Sequence, residues 1–190
     1  MATLFHEYDA FAEFYDDFAD SYSDDIPILI AEAEAAGAGA ILELCSGTGR
    51  CCFALADGGY DVVGVDNSSA MIEIAQTKLR RARRTENAYS NVSFYHSDVE
   101  NLDLIRKDFD MAFATWSSLQ HLTMDGRKRC YQAVYEHLQP GGIFVDDEAI
   151  RATEELESLP ATPRWYPPRP IFYHQGAVFF QYYVDQFDSD

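Results

Sequence analysis

Aromatic side chains return every three or four positions near the start of the chain: Phe5, Tyr8, Phe11, Phe14, Tyr15, Phe18 and Tyr22, with acidic residues between them. That spacing predicts an amphipathic helix with an aromatic face over Leu4 to Tyr22. Ser23, Asp24 and Asp25 then offer N-cap side chains, and Pro27 suits a first turn. A second helix, Ile26 to Ala36, is therefore expected to end at Gly37. From there short apolar runs alternate with helical periods. Strands are predicted at Ala40–Leu44, Asp61–Asp66, Val92–Ser97, Phe109–Thr115 and Ile143–Asp146. Helices are predicted from Cys51, over Ser69–Arg84 with Met71, Ile72, Ala75 and Leu79 facing inward, and from about Asp125 to Gln139 with Cys130, Val134 and Leu138 inward. Between the last helix and the last strand, Leu138-Gln-Pro-Gly-Gly142 reads as a turn. Strands alternating with helices imply an α/β fold, a Rossmann-like doubly wound and mostly parallel sheet.

Beyond Ala149 the pattern changes. Glu154 to Glu157 is acidic and helix-compatible, and Pro160 to Pro170 is proline-rich and extended. Ile171 to Phe187 alternates aromatic and polar residues around Gln175-Gly176, which reads as a β-hairpin. The expected organisation is one domain over 1–190: an N-terminal helical cap at 1–37, a ligand-binding core at 38–150 and a covering hairpin at 151–190.

Composition narrows the function classes. With 14 basic against 32 acidic side chains the formal charge is −18, a surface that repels phosphate backbones, so a nucleic-acid partner is not expected. Arg80 to Arg84 reads as the solvated end of a helix. No apolar run approaches the ~18 residues of a membrane span, and the amino terminus has no signal-peptide pattern. Cys45, Cys51, Cys52 and Cys130 form neither C-x-x-C pairs nor a disulfide framework, so reduced thiols in the cytoplasm are expected. No His/Cys cluster has metal-ligand spacing.

The candidate chemistry centres on Ile41-Leu-Glu-Leu-Cys-Ser-Gly-Thr-Gly-Arg50, a buried strand breaking into a turn of small residues. Gly47 and Gly49 let backbone approach a ligand closely, and the helix behind the turn aims free amides at the same place. A nicotinamide fingerprint would need a third glycine where Cys52 stands, and a phosphate-binding Walker loop would need Lys where Arg50 stands. Glu43, at the end of the strand, would repel a pyrophosphate and suit a cationic ligand. Asp66 ends the second strand 17 positions beyond Gly49, near the ~20 expected for an acid that accepts from a ribose diol. It also suits capping of the next helix. Asp98 ends the third strand, as a turn former or a ligand acid. Trp116 can wall an apolar pocket. His121 has the one side chain whose ordinary pKa lets it take a proton near neutrality. Asp147 and Glu148 close the fifth strand on the edge where parallel sheets bind ligands.

The ordered set Glu43, Cys45, Gly47, Gly49 resembles motif I (E/D-x-G-x-G-x-G) of the class I S-adenosylmethionine-dependent methyltransferases, with cysteine at the first glycine. Tyr8-Asp-Ala-Phe-Ala-Glu-Phe-Tyr-Asp16 is similar to the Y-D-x-x-A-x-x-Y-D opening of small-molecule methyltransferases, and Leu138-Gln-Pro-Gly-Gly142 to that family's L-x-P-G-G before strand five. The resemblance covers roughly Tyr8 to Glu148. It implies that the first helix folds over the cofactor, a hydroxyl from Tyr8 or Tyr15 reaching the methionine carboxylate. It implies that Asp66 holds the ribose, Asn67 and Met71 cover the adenine, Asp98 and the Val99 amide read its edge, and Thr115 and Trp116 line the methyl-transfer site. It further implies transfer to N, O or C of a small molecule by in-line displacement. Should the acceptor be a hydroxyl, a general base becomes useful, and His121 with Asp147 is the first candidate from the residues themselves. Tyr173, His174, Tyr182 and Tyr183 are expected to line the cover. The family adds a sixth and a seventh strand, which are not seen before Asp190: either the chain is a fragment, or the hairpin replaces them. Two other readings stay open, a non-catalytic S-adenosylmethionine-binding or interaction protein and, disfavoured by Glu43, a nicotinamide-dependent oxidoreductase.

Overall fold

All five residues of β1 (Ala40–Leu44) are buried, as a near-continuous apolar run requires when both faces of a strand are covered. This is a computed structural model, and it describes residues 7–19, 22–86 and 88–148 together with four short strands beyond them. The chain divides into two compact units, Met1–Glu148 and Ala149–Asp190. In the first, β1 is the middle of a five-stranded parallel sheet with β2 (Asp61–Asp66), β3 (Val92–His96), β4 (Phe109–Ala114) and β5 (Leu138–Asp146), in the order β3-β2-β1-β4-β5. The register sets Glu43 beside Gly64 on one side and Phe113 on the other.

Alternation along the strands divides the core in two. Ile41, Val62, Met111 and Phe113 pack with Leu29 and Ala33 of α2 (Asp25–Ala36), Cys52 and Leu55 of α3 (Arg50–Asp57), and Ile72, Ala75 and Leu79 of α4 (Ser69–Glu86). Leu42, Leu44, Val63, Val65 and Ala112 pack on the opposite face with Val99, Leu119, and Cys130 and Val134 of α5 (Met124–His137). A one-residue slip of β1 would exchange those two sets, so the register is strongly specified. The expected doubly wound sheet is thus present. The strand order reverses between β1 and β4, which makes the carboxyl edge there the place where such sheets take ligands. Gly64 lets α3 and the preceding turn press onto the sheet: a Cβ there would lie 2.8 Å from Cys52 Sγ and from Ser46 Oγ.

Three local expectations need correcting. Asp24 occupies the N-cap of α2 but makes no side-chain cap bond, and Asp25 turns instead to Arg50, because a guanidinium fork outcompetes a single backbone amide for a carboxylate. The Leu138–Gly142 segment belongs to β5, whose pairing shifts register between Phe109↔Leu138 and Met111↔Ile143, so the expected turn is a bulge within the strand. α4 starts as expected but is capped by Ser68, whose hydroxyl accepts from the Met71 amide at 3.2 Å.

The first helix is described as α1 (Glu7–Ala19); Leu4 and Phe5 lie outside the described residues. In the second unit β6 (Arg164–Trp165) pairs antiparallel with β9 (Val184–Asp185), and β7 (Arg169–His174) with β8 (Ala177–Gln181). The β7–β8 pair flanks Gln175-Gly176, where the hairpin was expected. Those two residues, Tyr182 and Tyr183 lie outside the described residues, and of Tyr173 and His174 only the backbone is described.

Candidate functional site

The turn after β1 is held to β2 by backbone and carboxylate together. Ser46 N–H donates to Val65 O at 2.9 Å, and Gly47 N–H donates to Asp66 Oδ2 at 2.8 Å. The other oxygen of Asp66 accepts from Ser68 N–H at 2.8 Å, so one buried side chain joins the glycine turn to the entrance of α4. Gly49 has φ 91, and a Cβ there would fall 2.6 Å from Phe94 Cζ. Cys45, where motif I has its first glycine, takes φ 53, the left-handed conformation that glycine adopts without strain.

Glu43 lies below this turn and is 4% exposed. Its hydrogen-bonding neighbour is Cys52 on the first turn of α3, and its Oε2 has no partner. Burial pushes the carboxyl up from the ordinary 4.5 to about 8, against the lowering influence of Cys52 and of nearby Arg50. Ser46 Oγ is likewise buried without a partner. Glu43 and Ser46 line one small cavity, each with a buried oxygen short of a partner.

α1 closes over the turn through acids that follow its tyrosines. Asp9 Oδ1 accepts from Ser68 Oγ at 2.5 Å and from the Ala70 amide at 3.3 Å. Asp16 accepts from Thr48 Oγ1 at 2.5 Å and pairs with Lys78 at 2.6 Å. Seven residues apart, the two acids share one helix face. Between them Tyr15 sets its ring over Gly47, its Cε1 3.5 Å from where a Cβ would be. Burial, with Tyr8 adding to it, raises the Tyr15 hydroxyl well above the usual tyrosine range, so it stays a donor.

Trp116 forms the far wall. Its φ of 58 and the 55 of Ser117 are held by Asp147, which accepts from their amides at 3.2 and 3.3 Å. Tyr15, Phe18 and Tyr22 surround the indole with ring centroids 6.3, 5.9 and 5.3 Å away. Thr115 precedes it, its carbonyl accepting from Ser118 Oγ at 2.7 Å. His121 is exposed and meets Tyr8 rather than Asp147: Nε2 is 3.5 Å from the Tyr8 hydroxyl, with the rings edge to face.

At the end of β3, Asp98 accepts from the Glu100 amide at 2.9 Å and from Asn101 Nδ2 at 2.8 Å, capping the short turn Val99–Asn101, and the Val99 side chain enters the core. Asn67 is exposed, its carbonyl bonded to His96 Nε2 at 2.9 Å, and Met71 is buried. Tyr15, Glu43, Cys45, Thr115 and Trp116 line one cavity of about 20 Å³. Small-molecule sites hold roughly 300–1,000 Å³, well above this cavity. A roomier groove of about 530 Å³, between the Val99–Asn101 turn and α5, is lined by none of the candidate residues. Sequence alone assigns no role in this site to Asp9, Asp16, Asp25 or Arg50, although the doubled Tyr-Asp, seven apart, signals the first two.

The donor set fits S-adenosylmethionine: a buried acid short of a partner suits its cationic end, and the turn-bound acid of β2 suits a ribose. Comparison with known proteins agrees. Residues 41–142 match the family model described as a methyltransferase domain, more than half of the chain. The chain belongs to the class I S-adenosylmethionine-dependent methyltransferases, and S-adenosylmethionine is the cofactor of this domain. It is 28% identical over 141 residues to YqeM of Bacillus subtilis, covering 74% of this chain and 54% of YqeM. The chain spans about half the length of the curated relatives it matches. Among solved structures, the CcbJ methyltransferase of Streptomyces caelestis superposes with a TM-score of 0.68 at 22% identity, over 94% of this chain and 79% of CcbJ. The sugar N-methyltransferase KedS8 of Streptoalloteichus superposes with a TM-score of 0.64 at 18% identity, over 94% and 79%.

Proposed function

We propose that this protein transfers the methyl group of S-adenosylmethionine to N, O or C of a small molecule by in-line displacement. The observation that carries the reading is the convergence at one sheet edge of the glycine turn, the Asp66 carboxylate bound to it, and the buried, partnerless Glu43 oxygen. The cofactor supplies an activated methyl on a sulfonium. Glu43 receives the ammonium at its amino-acid end, and Tyr15, a hydroxyl kept protonated by burial, donates toward the carboxylate. Trp116 and the α1 aromatics exclude water and hold the acceptor in line, which is most of what such a transfer asks of the protein. His121, with Tyr8 as hydrogen-bond partner, takes the proton from a hydroxyl acceptor. Asp147 acts through the Trp116 turn that it fixes. An amine acceptor needs no base, and the relatives named as sugar and glycopeptide N-methyltransferases favour amines.

The negative surface argues against nucleic-acid acceptors, and among the described residues no helix is long and apolar enough to cross a membrane. The free thiols of Cys45, Cys51, Cys52 and Cys130 suit the cytoplasm. The test is calorimetry with S-adenosylmethionine, S-adenosylhomocysteine and NAD, followed by a labelled-methyl screen over amines and phenols. Heat with the first two and label in product support the reading. Heat without turnover on any acceptor favours a non-catalytic binder, and heat with NAD alone overturns the assignment. For a phenol acceptor, His121→Ala should lower kcat about 100-fold, with little change for an amine acceptor.

A further inference from the structure

Arg50, the first residue of α3, lines the same cavity as Glu43 and Tyr15. Its Nη1 donates to Tyr22 O at 3.0 Å and to Asp25 Oδ1 at 2.8 Å, and its Nη2 donates to Asp25 Oδ2 at 2.5 Å. A guanidinium has five N–H donors. Those three bonds leave Nε–H and the second Nη2–H, which meet no acceptor among the described residues. These two hydrogens are the parallel pair that matches a carboxylate in bidentate fashion. The fork is already immobilised, by the Asp25 pair behind it and by Trp116, whose ring centroid lies 4.8 Å from Arg50 Cζ. Little further ordering would be lost on binding.

We propose that Arg50 is the carboxylate anchor of the cofactor's amino-acid end, and that with Glu43 it forms a site selective for a zwitterion. The inference rests on the S-adenosylmethionine reading and adds the residue that reads the carboxylate. The pairing of groups supports it independently. A phosphate facing Arg50 would also face the Glu43 carboxyl, whereas an α-amino acid brings a negative group for the fork and a positive one for the partnerless Oε2. Asp25 serves as a positioning residue, since it meets Arg50 and not the ligand.

The experiment compares S-adenosylhomocysteine with its decarboxylated counterpart, which keeps the adenosine, the thioether and the amine. By calorimetry the unmodified protein should prefer S-adenosylhomocysteine by roughly thirtyfold or more, the range of a charge-assisted bidentate pair. In Arg50→Met that preference should fall to about twofold, the remainder that the Tyr15 hydroxyl holds, with the decarboxylated compound bound as before. Arg50→Lys, which keeps the charge without the fork, should retain a preference of roughly threefold to fivefold. Should Arg50→Met fail to melt cooperatively, the Lys variant carries the same ratio. A preference of roughly tenfold or more in Arg50→Met, or of full size in Arg50→Lys, overturns the proposal. So does equal weakening of both ligands, the result expected if Arg50 only ties α2 to α3. Asp25→Ala separates that case again: a mere tie makes it weaken both ligands as much as Arg50→Met does, whereas an anchor leaves most of the preference. If the unmodified protein binds neither compound, the cofactor reading itself falls and this proposal with it.

Discussion

Cys45 sits at φ 53, in a region that costs a residue with a Cβ about 1–2 kcal/mol, at the position where the family pattern has glycine. Cys45→Gly relieves that strain but forfeits some side-chain packing and adds freedom to the unfolded chain. We expect a net gain of about 0.5–1 kcal/mol in urea denaturation, whereas Cys45→Ala, still carrying a Cβ, should show no gain. Glu43 gives a second prediction. Buried, it holds its proton to about 8, while the unfolded chain releases it near the ordinary 4.5. The native state therefore binds more protons between those values, and stability falls as pH rises through that window. A bound ammonium reverses the preference, so binding releases a proton and affinity climbs with pH. Between pH 6 and 7.5 the Kd for S-adenosylhomocysteine should fall roughly twentyfold. Calorimetry in buffers of differing ionisation heat should find close to one proton released per ligand. Glu43→Gln should flatten both the stability slope and the affinity slope; if either persists, another group carries it.

α1 lies over the glycine turn, and if it is a latch its ties should set the rates of ligand exchange. Its hold on the turn comes from two acids seven residues apart, one reaching the cap of α4 and one reaching Thr48 and Lys78. Asp16→Ala should accelerate both association and dissociation of S-adenosylhomocysteine by about fivefold in stopped flow, the effect of removing roughly 1 kcal/mol of latch. Hydrogen exchange in residues 7–19 should quicken, with little change in the β1 amides. Such a latch was only half legible in the sequence. The strands Ala40–Leu44 and Asp61–Asp66 end where their apolar runs end, because burial on both faces leaves the pattern no freedom. The order of acids at the strand ends was readable for the same reason. The Asp25–Arg50 pair was not, since the two are 25 residues apart and a lone Asp before a helix looks like a cap. Nor was the bulged start of β5, where Pro140 and Gly141 read as a turn although Leu138 still pairs with Phe109. His121 and Asp147 sit near each other in the pattern of strand ends. Their partners, Tyr8 and the Trp116 amide, depend on tertiary placement that no local period encodes.

The whole molecule carries 18 more acids than bases, and this excess acts on stability and on the latch in opposite senses. Repulsion among surface carboxylates destabilises the compact state, and salt screens it, the Debye length shrinking from about 10 Å at 0.1 M to about 3 Å at 1 M. The half-exposed Asp16–Lys78 pair is screened by the same ions. Raising NaCl from 0.05 to 1 M should therefore raise Tm by about 5 °C, while dissociation of S-adenosylhomocysteine becomes faster rather than slower. Asp16→Ala separates the two effects. It should keep the rise in Tm, which belongs to the surface as a whole, and lose most of the salt dependence of the off-rate, which belongs to one pair. Melting curves and stopped-flow traces in the same buffers decide it. A Tm that falls with salt would mean that ion pairs such as Arg106–Asp61 outweigh the repulsion of the unpaired acids, and an off-rate in Asp16→Ala as salt-sensitive as the parent's would move the latch to other charges on α1.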